Sequence, residues 1–183
     1  MPDNLDPQFL NQLKKGDIKA FEQVVRQYEK PIYGYIFSLV GHRQDAEDIT
    51  QAVFIKLYKN LGHIELDKNF KNWLYKIATN TAYDWLRTKQ KNPELFIIDD
   101  EENEFETIDE HATYLTIEAN VDLEKAFKNI KPIYKQAILL FYYEGFSYEE
   151  IAAILALPLN TVKTHLRRAK EAVRQALENN YYE

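Results

Sequence analysis

One run near the C-terminal end, SYEEIAAILALPLNTVKTHLRRAKEAVR from Ser147 to Arg174, constrains this chain more than any other stretch. Ser147 and Glu150 have the spacing of a capping box. The serine oxygen can accept the Glu150 backbone N–H while the glutamate reaches back to the serine N–H. A short helix follows, predicted to bury Ile151, Ala152 and Leu155. Pro158 cannot extend it, because proline lacks an N–H and its ring clashes with the preceding turn. Ala156, Leu157 and Pro158 therefore form a turn, and Asn160 is the expected N-cap of a second helix. Val162, Leu166, Ala169 and Val173 recur at helical spacing and make one inward face. Lys163, Thr164, Arg167, Arg168 and Lys170 are left outside it. Between Asn160 and Arg174 stand five basic residues against a single acid, Glu171. Two helices, a tight turn and a cationic second helix make a helix-turn-helix. Its second helix suits a DNA major groove, where Arg and Lys pair with guanine edges and further cations neutralise phosphates.

The rest of the chain also reads as helical. Glycine and proline are scarce, with five and six in 183 residues, and no segment alternates as a strand would. Pro7 to Leu13 is a short helix. Asp17 is the expected N-cap of the next, through Ala20, Phe21, Val24, Val25 and Tyr28, with an apolar stripe continuing from Ile32 to Leu39 beyond Pro31. Gly41 ends it. Asp45 is expected to open a helix that stops near Gly62, with Ile49, Val53, Phe54 and Leu57 inside. A further helix spans about Phe70 to Thr88, with Trp73, Leu74, Ile77, Ala78, Ala82, Trp85 and Leu86 as its stripe. Past Pro93, helices are predicted at about 121–129, 133–144, 148–155 and 160–178.

Charge divides the chain. The net charge is −6, yet Asn92 to Glu124 holds twelve acids and no Lys or Arg. Taking those twelve away leaves +6 on the remainder. The fold class is therefore all-α: two small helical domains, residues 1–91 and 121–183, joined by an acidic linker over 92–120. Apolar residues at 45% allow a real core. Cysteine is absent, which removes disulfides and thiolate metal sites. No signal peptide and no run of about 20 apolar residues is seen, so a cytoplasmic protein without membrane insertion is expected.

The residues offer little to an enzyme. There are two serines, Ser38 and Ser147, and the second is used as a cap. The histidines, His42, His63, His111 and His165, lack metal-ligand spacing, and the five glycines form no phosphate loop. No cofactor, metal or small-molecule substrate is expected. From Lys56 to Lys91, eight basic residues face three acids, a balance that suits a phosphate track.

Three blocks now carry a resemblance. DAEDITQAVFIKLY, Asp45 to Tyr58, resembles the region 2 helix by which bacterial sigma factors dock on core RNA polymerase. FKNWLYKIATNTAYDWLR, Phe70 to Arg87, resembles the adjoining segment that melts the promoter and reads the minus-10 element. The Ser147–Arg174 run is similar to the part of region 4 that reads the minus-35 element. Blocks in this order resemble the extracytoplasmic-function sigma factors, which have regions 2 and 4 alone. The resemblance implies core-polymerase contacts at Asp48, Gln51 and Ala52, where Ala52 departs from the acid common there. It implies minus-10 contacts at Lys68, Asn69, Lys76, Asn80, Trp85 and Arg87, with the 63–69 loop as the rim of a base pocket. It implies minus-35 contacts at Asn160, Thr161, Lys163, Thr164, Arg167 and Arg168. Ala156 and Asn160 stand where that family frequently has glycine. The implied partners are core RNA polymerase, promoter DNA and an anti-sigma factor, and the linker would thread toward the polymerase cleft; its twelve acids fit either an acidic mimic of nucleic acid or a solvated spacer. The other reading is a stand-alone helix-turn-helix regulator, which would need neither N-terminal block.

Overall fold

A computed structural model describes residues 5–65, 69–91 and 130–180, with side chains to 175. The chain divides into two compact units, Met1–Glu106 and Thr107–Glu183. The expected linker, the expected helix at 121–129 and Lys68 lie outside the described residues. Among the described residues there are seven α-helices and no strand.

In the first unit, α1 (Pro7–Lys14) begins with proline at its first position, where a missing N–H costs nothing. It buries Leu10 and Leu13. Its Lys14 amine donates to the Ile64 carbonyl at 2.9 Å and so ties down the turn before residues 66–68. Asp17 caps α2 (Ile18–Val40), its carboxylate accepting from the Ala20 N–H at 3.0 Å. The two apolar stripes read on either side of Pro31 belong to this one helix. Pro31 removes one backbone bond, but Tyr28, Ile32, Tyr35 and Ile36 on the same face are all buried, and that burial outweighs it. Gly41 ends α2 in the left-handed region at φ 72°, as expected.

The next helix begins earlier than the acidic residue suggested. α3 spans Arg43–Lys59, and its N-cap is His42, whose Nδ1 accepts from the Asp45 N–H at 3.4 Å. Asp45 is thus the third helical residue, buried, with a carboxylate oxygen 3.9 Å from the Lys89 amine. α3 ends before Gly62, and a 3-10 turn, Leu61–His63, follows. α4 (Phe70–Lys91) runs three residues beyond the expected end. Asn69 starts it, its Oδ1 accepting from the Asn72 N–H at 3.3 Å. The buried residues of α4 are Phe70, Leu74, Tyr75, Ala78, Thr79, Thr81 and Ala82, a face rotated from the expected one; Trp73, Ile77, Trp85 and Leu86 are half-buried. Two hydroxyls explain the rotation. Tyr35 and Thr79 share a buried hydrogen bond of 2.9 Å between α2 and α4. Thr81 accepts from the Lys56 amine at 3.1 Å, joining α3 to α4.

The second unit packs α5 (Pro132–Tyr142), α6 (Tyr148–Leu155) and α7 (Leu159–Asn180) against one another. The capping box is present: Ser147 N–H to Glu150 Oε2 at 2.9 Å, and Glu150 N–H to Ser147 Oγ at 3.2 Å. α6 buries Ile151 and Ile154, while Ala152 and Leu155 are only half-buried. Asn160 is not the cap of α7. The Pro158 carbonyl accepts from Thr161 and Val162 at 2.9 and 3.1 Å, so the helix starts at Leu159 and Asn160 lies in its first turn. Val162, Leu166 and Ala169 are buried as expected; Val173 is half-buried.

The turn itself is strained. Ala156 has φ 52° and ψ 44°, a left-handed conformation that costs an L-residue about 1–2 kcal/mol. It is held because the Leu157 N–H closes onto the Ala152 carbonyl at 3.0 Å. Ala156→Gly should stabilise this unit by about 0.5–1 kcal/mol, after the greater unfolded-state entropy of glycine is subtracted. Thermal unfolding reads this as a rise of a few degrees; a fall would mean the strain is absent.

Candidate nucleic-acid and polymerase interfaces

On α7 the inward face is Val162, Leu166 and Ala169. Opposite it lie Asn160, Lys163, Thr164, Arg167, Glu171 and Arg174, at helical spacing. Lys163 is exposed and has no partner among the described residues. Arg167 holds an exposed pair with Glu171 at 3.3 Å, a weak contact that a stronger anion can displace. Thr164 turns its hydroxyl back to the Asn160 carbonyl at 2.9 Å, and Thr161 is half-buried. Arg168 lies off this stripe. Residues advance about 100° each around a helix, and Arg168 leans onto α5, where its Nη1 donates to the Tyr134 hydroxyl at 2.6 Å. On the other flank Lys170 lies over the Tyr142 ring at 5.4 Å, and the Tyr142 hydroxyl raises the lysine above its ordinary pKa.

His165 sits behind this face with its ring edge against Tyr134, 5.1 Å between centroids. Its Nδ1 is buried without a hydrogen-bond partner. Burial first, and the nearby Arg168 second, hold its pKa below the ordinary imidazole value. In the unfolded chain the ring takes a proton below about pH 6.5, while in the folded unit it stays neutral further down. The unfolded state then binds more protons, so stability falls as pH drops from about 6.5 toward the folded pKa. Between about pH 7.5 and about pH 5.5, the wild-type unit should lose more thermal stability than His165→Gln. Equal losses would remove this group from the acid response.

On α4 the structure brings Lys76, Asn80 and Arg87 onto one exposed stripe, together with Tyr83. Trp85 is not with them. It lies on roughly the opposite side of the helix, half-buried, with the Lys89 amine over its ring at 4.8 Å. Asn69 is half-buried and occupied as the cap of α4. Tyr83 is an exposed aromatic that sequence reasoning passed over. Its signal was its spacing, three residues after Asn80.

On α3, Asp48 and Gln51 are exposed and Ala52 is half-buried. The same arc continues into Ile55, 54% exposed, and Tyr58, 49% exposed. Tyr58 meets Phe21 of α2 edge-on at 5.0 Å. Apolar side chains thus lie open beside polar ones along this arc. Among the described residues no group of three metal-ligating side chains occurs, and no helix is long and apolar enough to cross a membrane.

Comparison with known proteins gives these faces a common setting. The family model for Sigma-70 region 2 matches residues 24–92, and that for Sigma-70 region 4 matches residues 121–173. The RNA polymerase sigma-H factor of Pseudomonas aeruginosa is 33% identical over 182 residues, 94% of each chain. The extracytoplasmic-function sigma factor SigW of Bacillus subtilis is 31% identical, over 93% of this chain and 95% of its own. Among solved structures, the sigma factor RpoE of Bartonella quintana, in complex with the anti-sigma factor NepR, superposes with a TM-score of 0.69. That match is 27% identical and covers 88% of this chain and 98% of RpoE. A stand-alone regulator needs no region 2, and here both regions match in order along one chain. The chain belongs to the extracytoplasmic-function sigma factors, which direct RNA polymerase to specific promoters to initiate transcription.

Proposed function

We propose that residues 1–91 dock on core polymerase and capture the opened minus-10 strand, that residues 121–183 read the minus-35 element, and that 92–120 join them. The observation that carries this reading is the α7 stripe, where Lys163 and Arg167 are exposed beside Asn160, opposite the buried face of Val162, Leu166 and Ala169. Such cations pair with guanine edges in a major groove. Lys76, Asn80 and Arg87 form the single-strand face on α4: the cations follow the backbone and the amide meets a base edge. Asp48, Gln51, Ala52, Ile55 and Tyr58 form the polymerase face on α3. The chain itself supplies no reaction chemistry, and the polymerase makes every bond. This work is done in the cytoplasm. An anti-sigma factor is the further partner in this reading, supported by the solved complex of RpoE with the anti-sigma factor NepR.

The test is run-off transcription from a library of random promoters, using bacterial core polymerase with and without the chain. Chain-dependent transcripts sharing two spaced upstream motifs are expected. Lys163→Ala and Arg167→Ala should each cost about 1–3 kcal/mol of discrimination at the upstream motif alone. Specific binding of duplex by the chain alone, with no dependent transcripts, would reject the assignment of the two units.

A further inference from the structure

Arg168 belongs to the DNA-facing helix, but it stands about 100° around from Arg167 and away from the stripe that carries Lys163. Something holds it there. Its Nη1 donates to the Tyr134 hydroxyl at 2.6 Å, and its guanidinium lies over the same ring, 5.7 Å from the centroid. Tyr134 is on α5, 34 residues away in sequence, and its ring is braced by the edge contact with His165. Despite these contacts Arg168 remains exposed. Lys131, Tyr134, Arg168 and Gln175 line an open groove between the start of α5 and α7, together with Glu171, whose carboxylate is paired with Arg167 at 3.3 Å.

We propose that Tyr134 is a positioning residue that commits Arg168 to a backbone phosphate flanking the minus-35 element, so that Arg168 fixes the register of α7 in the groove without reading a base. This rests on the assignment of α7 to the minus-35 groove. A guanidinium has five N–H donors, and the bond to Tyr134 uses one. The remaining edge is free for a paired contact with phosphate oxygens. The Tyr134 hydroxyl accepts from Arg168 and keeps its own proton to donate to the same phosphate. Residues on the flank of a helix in the major groove meet the DNA backbone, and phosphate contacts position without specifying sequence. Because the pair is formed before DNA arrives, the arginine loses little freedom on binding.

The experiment measures binding of holoenzyme, core polymerase with the full chain, to a promoter selected by the wild-type chain, across a range of salt. Arg168→Ala should make the log–log salt slope shallower by about 0.9 and leave base preferences at the upstream motif unchanged. Tyr134→Phe keeps the ring against His165 but loses the hydroxyl. It should weaken binding about fivefold and flatten the slope in part, although tyrosine carries no charge. The double variant should match Arg168→Ala. Thermal unfolding of each variant separates loss of contact from loss of fold, because a purely structural Tyr134 would lower stability and leave the slope alone. Altered base preference in Arg168→Ala, or additive effects in the double variant, would overturn the proposal. If Lys163→Ala and Arg167→Ala also change nothing, the minus-35 assignment itself fails. If those two act and Arg168→Ala leaves the slope unchanged, only the phosphate clamp fails.

Discussion

Leu166→Ala is expected to destabilise the C-terminal unit by about 2–5 kcal/mol, through lost burial and the cavity left behind. Leu166 is 2% exposed and lies at the centre of the inward face of α7, between Val162 and Ala169. A unit this small has a net stability of only several kcal/mol. The loss is therefore comparable with the whole, and its melting temperature should fall on the order of 10 °C or more. The effect should be confined. The first unit has its own core, including Ile32, Ile36, Val53, Leu57 and Leu74, and its transition should not move. Minus-35 recognition should weaken in parallel with melting, although Leu166 points away from the proposed DNA face. Lys163→Ala should show the reverse: recognition weakened and melting unchanged within about 0.5 kcal/mol. Calorimetry of both variants beside promoter binding separates core from contact. An unchanged upper and lower transition in Leu166→Ala would mean that this face is not the core of the unit.

The contrast between those two residues is one the sequence already draws, because helical period separates an inward Leu166 from an outward Lys163 without any coordinates. The same period, the Asp17 cap, the Gly41 stop and the Ser147–Glu150 box are all local, involving residues within four positions, and all appear in the structure. What escaped depends on partners distant along the chain. Thr79 is polar and reads as outward, yet it is buried because Tyr35, 44 residues earlier, satisfies its hydroxyl. That bond and the Lys56 contact to Thr81 accompany a turned α4, with Tyr75 inside and Trp73 and Trp85 at the margin. Trp85 consequently parts from Asn80, and Tyr83 takes its place on the stripe. Asn160 was misplaced for a different reason. An asparagine side chain is a good cap in isolation, but the carbonyl of Pro158 takes the first two bonds and starts α7 earlier. Arg168 is as cationic in sequence as Arg167. Its place about 100° around the helix and its bond to Tyr134 set it apart.

Ile55 and Tyr58 are large side chains that the helical period leaves outside, and they lead to the second large prediction. Both fall outside the inward set of Ile49, Val53, Phe54 and Leu57, and each leaves about half its surface open. They extend the Asp48 and Gln51 arc of α3, and Phe21 supports Tyr58 from behind. Replacing an exposed Ile55 should barely affect folding, within about 0.5 kcal/mol. Burying it against a partner is worth about 1.5–3 kcal/mol, and a glutamate there would carry an unpaired charge into the contact. Ile55→Glu should therefore weaken binding to core polymerase by at least about 30-fold, since each 1.4 kcal/mol is tenfold. Its melting temperature should match wild type within a few degrees. Glu171→Ala supplies the comparison. Glu171 is exposed on α7 of the other unit, paired with Arg167 at 3.3 Å, and its loss should leave core binding within about twofold. Affinity for core polymerase measured on both variants decides the matter. A large loss for Ile55→Glu alone places the docking surface on this arc. Undiminished affinity would mean that polymerase docks elsewhere, and the roles proposed for Asp48 and Gln51 would fall with it.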